Sequence, residues 1–469
     1  QGLTTTQLNA ITTTDLNALT ITNLSTTQVA GLTSTSVNNL TTTNVAALTS
    51  TQVGALSEPG FGALTSTEVQ GLTTTQASGF TATQLGSLLT ADIANLSTTQ
   101  IGALTTAQVQ GLTTTQLNAI TTTDLNALTI TNLSTTQVAG LTSTSVNNLT
   151  TTNVAALTST QVGALSATGF GALTSTEVQG LTTTQASGFT ATQLGSLTTT
   201  AVSNLSTTQI GALTSTQAQG LTTAQLNAIT TTDLNALTLA NLSTAQMGGL
   251  TTTTVNHLTT TTIAAMTSTV FGTLTSTEVQ ALTTTQAGAL TATQLGSLTT
   301  TAISNLSTTQ IGALTTTQAQ GLTTTQLNAI TTTDLNALTI TDLSTKQMGG
   351  LTSTTVTNLT STNVAALTAT EVGALSTSAA NALTTTEIGA LTTTQSAALT
   401  SAQIAGLSTA KFAALTSTTG IPALSTKAIA GLTTAEIAAL TTTQGHAFTT
   451  TQITAMTATQ AGALVKLIG

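Results

Sequence analysis

Cysteine, tryptophan, tyrosine and arginine are missing from this 469-residue chain, and only 4% of its residues are charged. Each absence excludes something. Without cysteine there are no disulfides and no thiolate metal sites. Its lack also fits a secreted or surface protein that crosses membranes unfolded. Four lysines and no arginine cannot neutralise a track of phosphates, so nucleic acid is excluded as a partner. The net charge is −9 and the pI about 4.2. Mean hydropathy is positive at +0.33. Yet no apolar run reaches the roughly 18 residues that a bilayer span needs, so the chain is not expected to span a membrane. Gln1 opens the sequence in mid-phrase, with neither Met nor a basic leader, as expected of a fragment or a processed chain. Low charge and few aromatics can signal disorder. Here 39% of residues are hydrophobic and stand at fixed places, which argues for a fold.

What is present is threonine, 135 residues of it, inside one recurring phrase. Residues 64–76 read LTSTEVQGLTTTQ. The consensus is Leu-Thr-Thr-Thr-Gln-Val-x-Ala, and the next Leu follows directly. The phrase carries a complete helix-start signal. In Leu64–Gly71, Thr65 is the N-cap and Glu68 stands at N3, the two members of a capping box. Leu64 and Val69 hold the two positions of a hydrophobic staple. The same assignments fit Leu72, Thr73, Gln76 and Ala77, and Ile11, Thr12, Asp15 and Leu16. Positions 7 and 8 are mostly Ala, Gly, Asn or Ser, as in Gln70-Gly71, Gly86-Ser87 and Asn256-His257. Gly or Asn there is expected to end the helix in a left-handed conformation.

Each phrase therefore predicts about one and a half helical turns, a tight turn and the next cap. Helices below roughly 12–15 residues are marginal in isolation, so the phrases must stack. The expected fold is all-α: a solenoid of very short capped helices with a thin Leu/Val/Ile/Ala core. A β-solenoid is the competing fold, since Thr, Val and Ile favour strands. The spacing argues against it. Apolar positions 1 and 6 are separated by odd steps, which on a strand fall on opposite faces. A Gln or acid at position 5 has a reason in a capping box and none in a rung.

A longer repeat overlies the octad. The string GLTTTQLNAI, once with Ala224 in place of Thr, starts at Gly2, Gly111, Gly220 and Gly321. A period of 109 residues is thirteen octads plus a five-residue phrase, which is Leu19–Asn23 in the first unit. That phrase is expected to alter the solenoid's path once per long unit. The third unit has lost one octad near residues 258–273. Residues 1–376 thus form an octapeptide-repeat solenoid with the long super-repeat, and 377–469 a degenerate continuation of it. A nine-residue phrase with Gly420 and Pro422 marks a bend or slip, and the chain ends VKLIG, off pattern.

Chemistry is hard to find. Ten of the thirteen acids are Asp15, Glu68, Asp124, Glu177, Asp233, Glu278, Asp334, Glu371, Glu387 and Glu436, all at position 5. A Ca²⁺ ladder is one reading. Capping at helix N-termini is the better one, because Gln fills the same slot far more often and no EF-hand or GGxGxD string occurs. His257 and His446 stand far apart, with no second ligand near. There is no nucleophile elbow, P-loop or GxGxxG context. Ser344-Thr345-Lys346 and Ser425-Thr426-Lys427 look like Ser/Lys pairs, but each Ser is an N-cap. Asn23, Asn95 and Asn204 match glycosylation sequons only because Asn fills position 8. Phe61, Phe80, Phe170 and Phe189 occupy core positions. No catalytic, cofactor-binding or metal-binding residue is expected, and no enzyme.

Threonines at positions 3 and 4 should face solvent as rows of hydroxyls and methyls. Near-neutral surfaces of this kind promote association. They could also carry O-glycans or meet ice. The strings LTTTQ, LSTTQIGAL and LTSTEVQGL resemble the Thr-rich short-repeat regions of very large bacterial surface and secreted proteins, adhesin-like or filament-forming. The resemblance covers nearly the whole chain. It implies export and a place outside the cell or at its surface, in fibres, sheaths, biofilm matrix or adhesion. No ligand-binding tip domain of such proteins is visible. The expectation is a non-enzymatic structural protein that self-associates and builds or stiffens an extracellular filament. The alternative is a binding module that uses the Thr rows on ice or other surfaces.

Overall fold

Each eight-residue phrase folds alike. In the phrase from Leu64, the Thr65 hydroxyl accepts from the Glu68 N–H at 3.3 Å, and the Glu68 carboxylate accepts from the Thr65 N–H at 2.8 Å. Leu64 and Val69 are both buried, so box and staple form together. The Val69 N–H closes on the Thr65 carbonyl and the Leu72 N–H on the Val69 carbonyl, which ends the helix. This computed structural model describes residues 2–469. Among them are 54 α-helices and five 3-10 turns, and no strand. Every α-helix spans four to six residues except the last, Ala458–Ile468, which has eleven. The fold is the all-α solenoid that capping and spacing predict, not the β-solenoid.

One phrase forms one side of a turn, and three phrases complete the turn. Within each part of the chain an element typically packs on the third one after it: Thr26–Ala30 on Ser50–Ala55, Ala82–Ser87 on Thr106–Gly111, Ala369–Ala374 on Thr393–Ala398. Leu and Val/Ile from all three sides point inward. The chain forms two compact units, one up to Asn241 and one from Leu242 on. Both are built of such three-sided turns.

The helix ends differ from expectation. Among the described residues none has a positive φ, glycines included. Helices stop in right-handed or extended geometry instead, as at Gly31 (φ −88°) and Leu72 (φ −69°). Glycine is needed for another reason. A Cβ on Gly86 would lie 2.6 Å from the Gly111 carbonyl oxygen, and one on Gly111 would collide with the backbone of Ala82. The same interlock joins Gly195 to Gly220 and Gly296 to Gly321. Small residues at positions 7 and 8 let successive turns touch backbone to backbone.

The irregular phrases are absorbed locally. Leu128–Asn132 becomes a single 3-10 turn, Ile130–Asn132, with Ile130 buried where an octad places Val. It occupies one whole side. The nine-residue phrase holds its extra residue in a wide turn: the Ile421 N–H reaches the Thr416 carbonyl, five residues back, at 2.9 Å. Ile421 is fully buried. The slip is confined to that one phrase.

Candidate functional site

The repeated feature with the most polar chemistry is position 5. Its Gln does two jobs. The Gln116 Oε1 accepts from the Thr113 N–H at 2.7 Å, closing the capping box. The Gln116 Nε2 donates to the carbonyls of Leu85 and Leu88, 31 and 28 residues earlier, at 2.8 and 2.7 Å. Gln52, Gln84, Gln100 and Gln403 repeat the same pair of bonds. These carbonyls lie at the end of a helix one turn below, where backbone acceptors lack helical partners. Each Gln therefore caps its own helix at the start and a lower helix at the end. Gln100 and Gln403 are each only 1% exposed. The second role joins residues about a turn apart and has no local signature; the frequency of Gln at position 5 was its only trace in the sequence.

Glutamates in this slot keep the first role. The Glu68 and Glu177 carboxylates each accept from the N-cap N–H at 2.8 Å. Asp is too short to reach back. The Thr12 hydroxyl donates to the Asp15 carboxylate at 2.6 Å instead, so the capping box expected at Thr12 and Asp15 is only half formed. Asp124 takes the Thr121 hydroxyl and also that of Thr98, 26 residues back. Among the described residues no three His, Cys, Asp or Glu side chains come close enough to hold a metal ion. Glu436 stands apart. Its carboxylate accepts from the Thr433 N–H at 2.6 Å, but Oε1 is buried without a partner. Burial pushes its carboxyl above the usual range, against the opposing pull of the Thr433 hydrogen bonds.

The remaining candidates disperse. His257 and His446 are exposed at helix ends in different phrases. The Ser344 and Ser425 hydroxyls accept from the N–H groups of Gln347 and Ala428, as N-caps do. Asn95 and Asn204 donate to Ser66 and Ser175 on the turn below. Phe61 meets Phe80 edge-on with ring centroids 5.0 Å apart, and Phe170 meets Phe189 likewise, inside the core. A cavity of about 40 Å³ beside Val364 and Leu391 is far below the size of a ligand pocket.

The outer surface carries the threonines. In the phrase from Leu72, Thr73, Thr74 and Thr75 are exposed while Leu72, Gln76 and Ala77 are buried. This division recurs in phrase after phrase. The long repeat does not place its copies on one side. Each 109-residue unit has fourteen phrases, two more than four full turns. Within the first compact unit the equivalent residues Asp15, Asp124 and Asp233 consequently fall on three different sides. No helix among the described residues is long and apolar enough to cross a membrane.

Residues 87–122 match the family model of the ALTTAQ repeat. The matched stretch covers phrases of the kind seen throughout, so a repeat region of that type is what this chain resembles. No curated protein matches the chain.

Proposed function

We propose that this chain is a non-enzymatic structural protein, a solenoid that builds or stiffens an extracellular bacterial filament, sheath or matrix fibre. The observation that carries this reading is the glutamine seam. Within each compact unit a recurring position-5 Gln ties one turn to the turn before, as Gln116 and Gln403 do, so the body lengthens by whole phrases without new design. Loss of one octad in the third long unit, and absorption of five- and nine-residue phrases, fit a part selected for length and continuity. The Thr surface supports lateral packing of copies, since few charges keep like surfaces apart.

A second reading, a binding module for ice or another surface, draws on the exposed Thr rows. Rotation of the long repeat around the three sides weighs against it, because a ligand-matched pattern gains most when copied on one face. Electron microscopy of the purified chain tests the first reading: long uniform fibres or laterally packed sheets are expected. Isolated rods at every concentration, together with thermal hysteresis or ice shaping, would replace the filament with the binding module.

A further inference from the structure

Helix Thr434–Ala438 opens with the usual capping box, but its position-5 residue is Glu436. In comparable phrases the position-5 amide faces the turn below. Gln403 donates to Val372 and Leu375, both at 2.8 Å. Gln452 donates to Ile421 and Leu424 at 2.8 and 2.7 Å, and Gln460 to Ile429 and Leu432 at 3.0 and 2.8 Å. Glu436 presents an oxygen where these present a nitrogen. Counting phrases, Ile404 and Leu407 stand to Glu436 as Val372 and Leu375 stand to Gln403. Glu436 is only 1% exposed, and its Oε1 has no hydrogen-bond partner. An ionised carboxylate can only accept, and so can a carbonyl. A carboxylic acid has one O–H to give.

We propose that Glu436 is a pH-dependent latch between its own turn and the turn below. As the neutral acid its Oε1–H donates to the carbonyl of Ile404 or Leu407, reproducing the glutamine bond. On ionisation the proton leaves to solvent, the bond is lost, and two acceptors face each other. The upward shift of this carboxyl agrees in direction. With the folded value raised, the stabilisation is complete below the unfolded carboxyl's pKa of about 4.3 and is lost as pH rises through the folded value. The helices packed against Thr434–Ala438 are Thr409–Phe412 and Ala458–Ile468, which carry Lys411 and Lys466. The Lys411 ammonium is engaged by the Asn381 carbonyl, and neither ammonium bonds Oε1. The latch is independent of whether the chain forms filaments.

The test is amide hydrogen exchange on the full chain, wild type against Glu436→Gln, at matched pH so that intrinsic exchange rates cancel. Gln is the common residue of this slot, so the variant keeps the fold. Segments 404–411 and 433–440 should be equally protected in both proteins at about pH 4, and roughly tenfold less protected in the wild type at about pH 8. Segment 100–116 should not differ at either pH. A ratio that stays constant with pH, or greater wild-type protection at the higher pH, overturns the latch. The carboxylic-acid carbonyl stretch in the infrared difference between wild type and variant reads the same proton. It should persist above the unfolded carboxyl range of about 4.3, and its absence there overturns the proposal as well.

Discussion

Two neighbouring turns use different numbers of residues for one geometry. In the ordinary turn, Gln116 reaches carbonyls 31 and 28 residues back. In the turn that contains Leu128–Asn132, Gln137 reaches Val109 and Leu112, 28 and 25 residues back, both at 2.7 Å. Three residues have gone and the seam is unchanged. The structural quantum is therefore the side of the turn, and the octad is its usual filling. The short side lacks a side-chain cap, since Thr129 makes no capping bond. Asparagines brace this turn from outside. Asn126 donates to the Asn148 carbonyl at 2.7 Å and accepts from the Thr150 N–H at 2.7 Å, while Asn118 ties to Gly140 and Thr142 in the same way. The pairs Asn9/Asn17 and Asn328/Asn336 do this around two of the other short phrases, Leu19–Asn23 and Leu338–Asp342.

The comparison can be broken at its core first. Val69→Asp buries an unpaired carboxylate and should cost more than about 4 kcal/mol, unravelling adjacent turns. Ser66→Ala and Thr74→Ala on the outer face should stay within about 0.5 kcal/mol. Urea unfolding followed by circular dichroism separates them, and equal damage would overturn the assignment of faces. Next, Gln116→Ala and Gln137→Ala should each cost about 2–4 kcal/mol, since each removes two inter-turn hydrogen bonds and half of a capping box and leaves buried carbonyls unmet. A much smaller loss at Gln137 would show that the short turn does not depend on the seam.

A smaller effect sharpens the contrast. Asn126→Ala should cost about 1–3 kcal/mol because its amide bonds Asn148 and Thr150 across the short turn as well as Thr122 in its own helix. Gln70→Ala, at the exposed position 7 of an ordinary turn, should be near neutral, within about 0.5 kcal/mol. The smallest effect compares copies of one phrase. Thr198 caps its helix, but Leu89, 109 residues earlier, is 71% exposed at the same position and leaves its helix uncapped. Leu89→Thr should raise stability by about 1 kcal/mol, read as a rise in the urea midpoint.

Much of this fold was legible in the chain. Thr65, Glu68, Leu64 and Val69 announce a helix start within a few residues, and the structure forms it as read. The outward direction of Thr74 and Thr75 follows from the same periodicity. The glycines were misread for a physical reason. Gly111 looks locally like a left-handed helix end, yet its constraint comes from Ala82, on the neighbouring turn. Asn118 and Asn126 looked like helix-end residues, and their partners lie 22 to 24 residues ahead. Glu436 looked like any other capping acid until its second oxygen was seen to be buried.

The sequence alone determined most of what contacts of three or four residues carry: the N-caps, the staples and the face each helix buries. Such contacts are fixed by backbone geometry, whatever lies around them. Only the tertiary structure decided that three phrases close a turn, that Gln amides fasten one turn to the last, and that Gly and Asn serve neighbours they do not announce. Those bonds join residues 22 to 31 apart. Their partners are chosen by how the turn closes, and no local pattern encodes that closure.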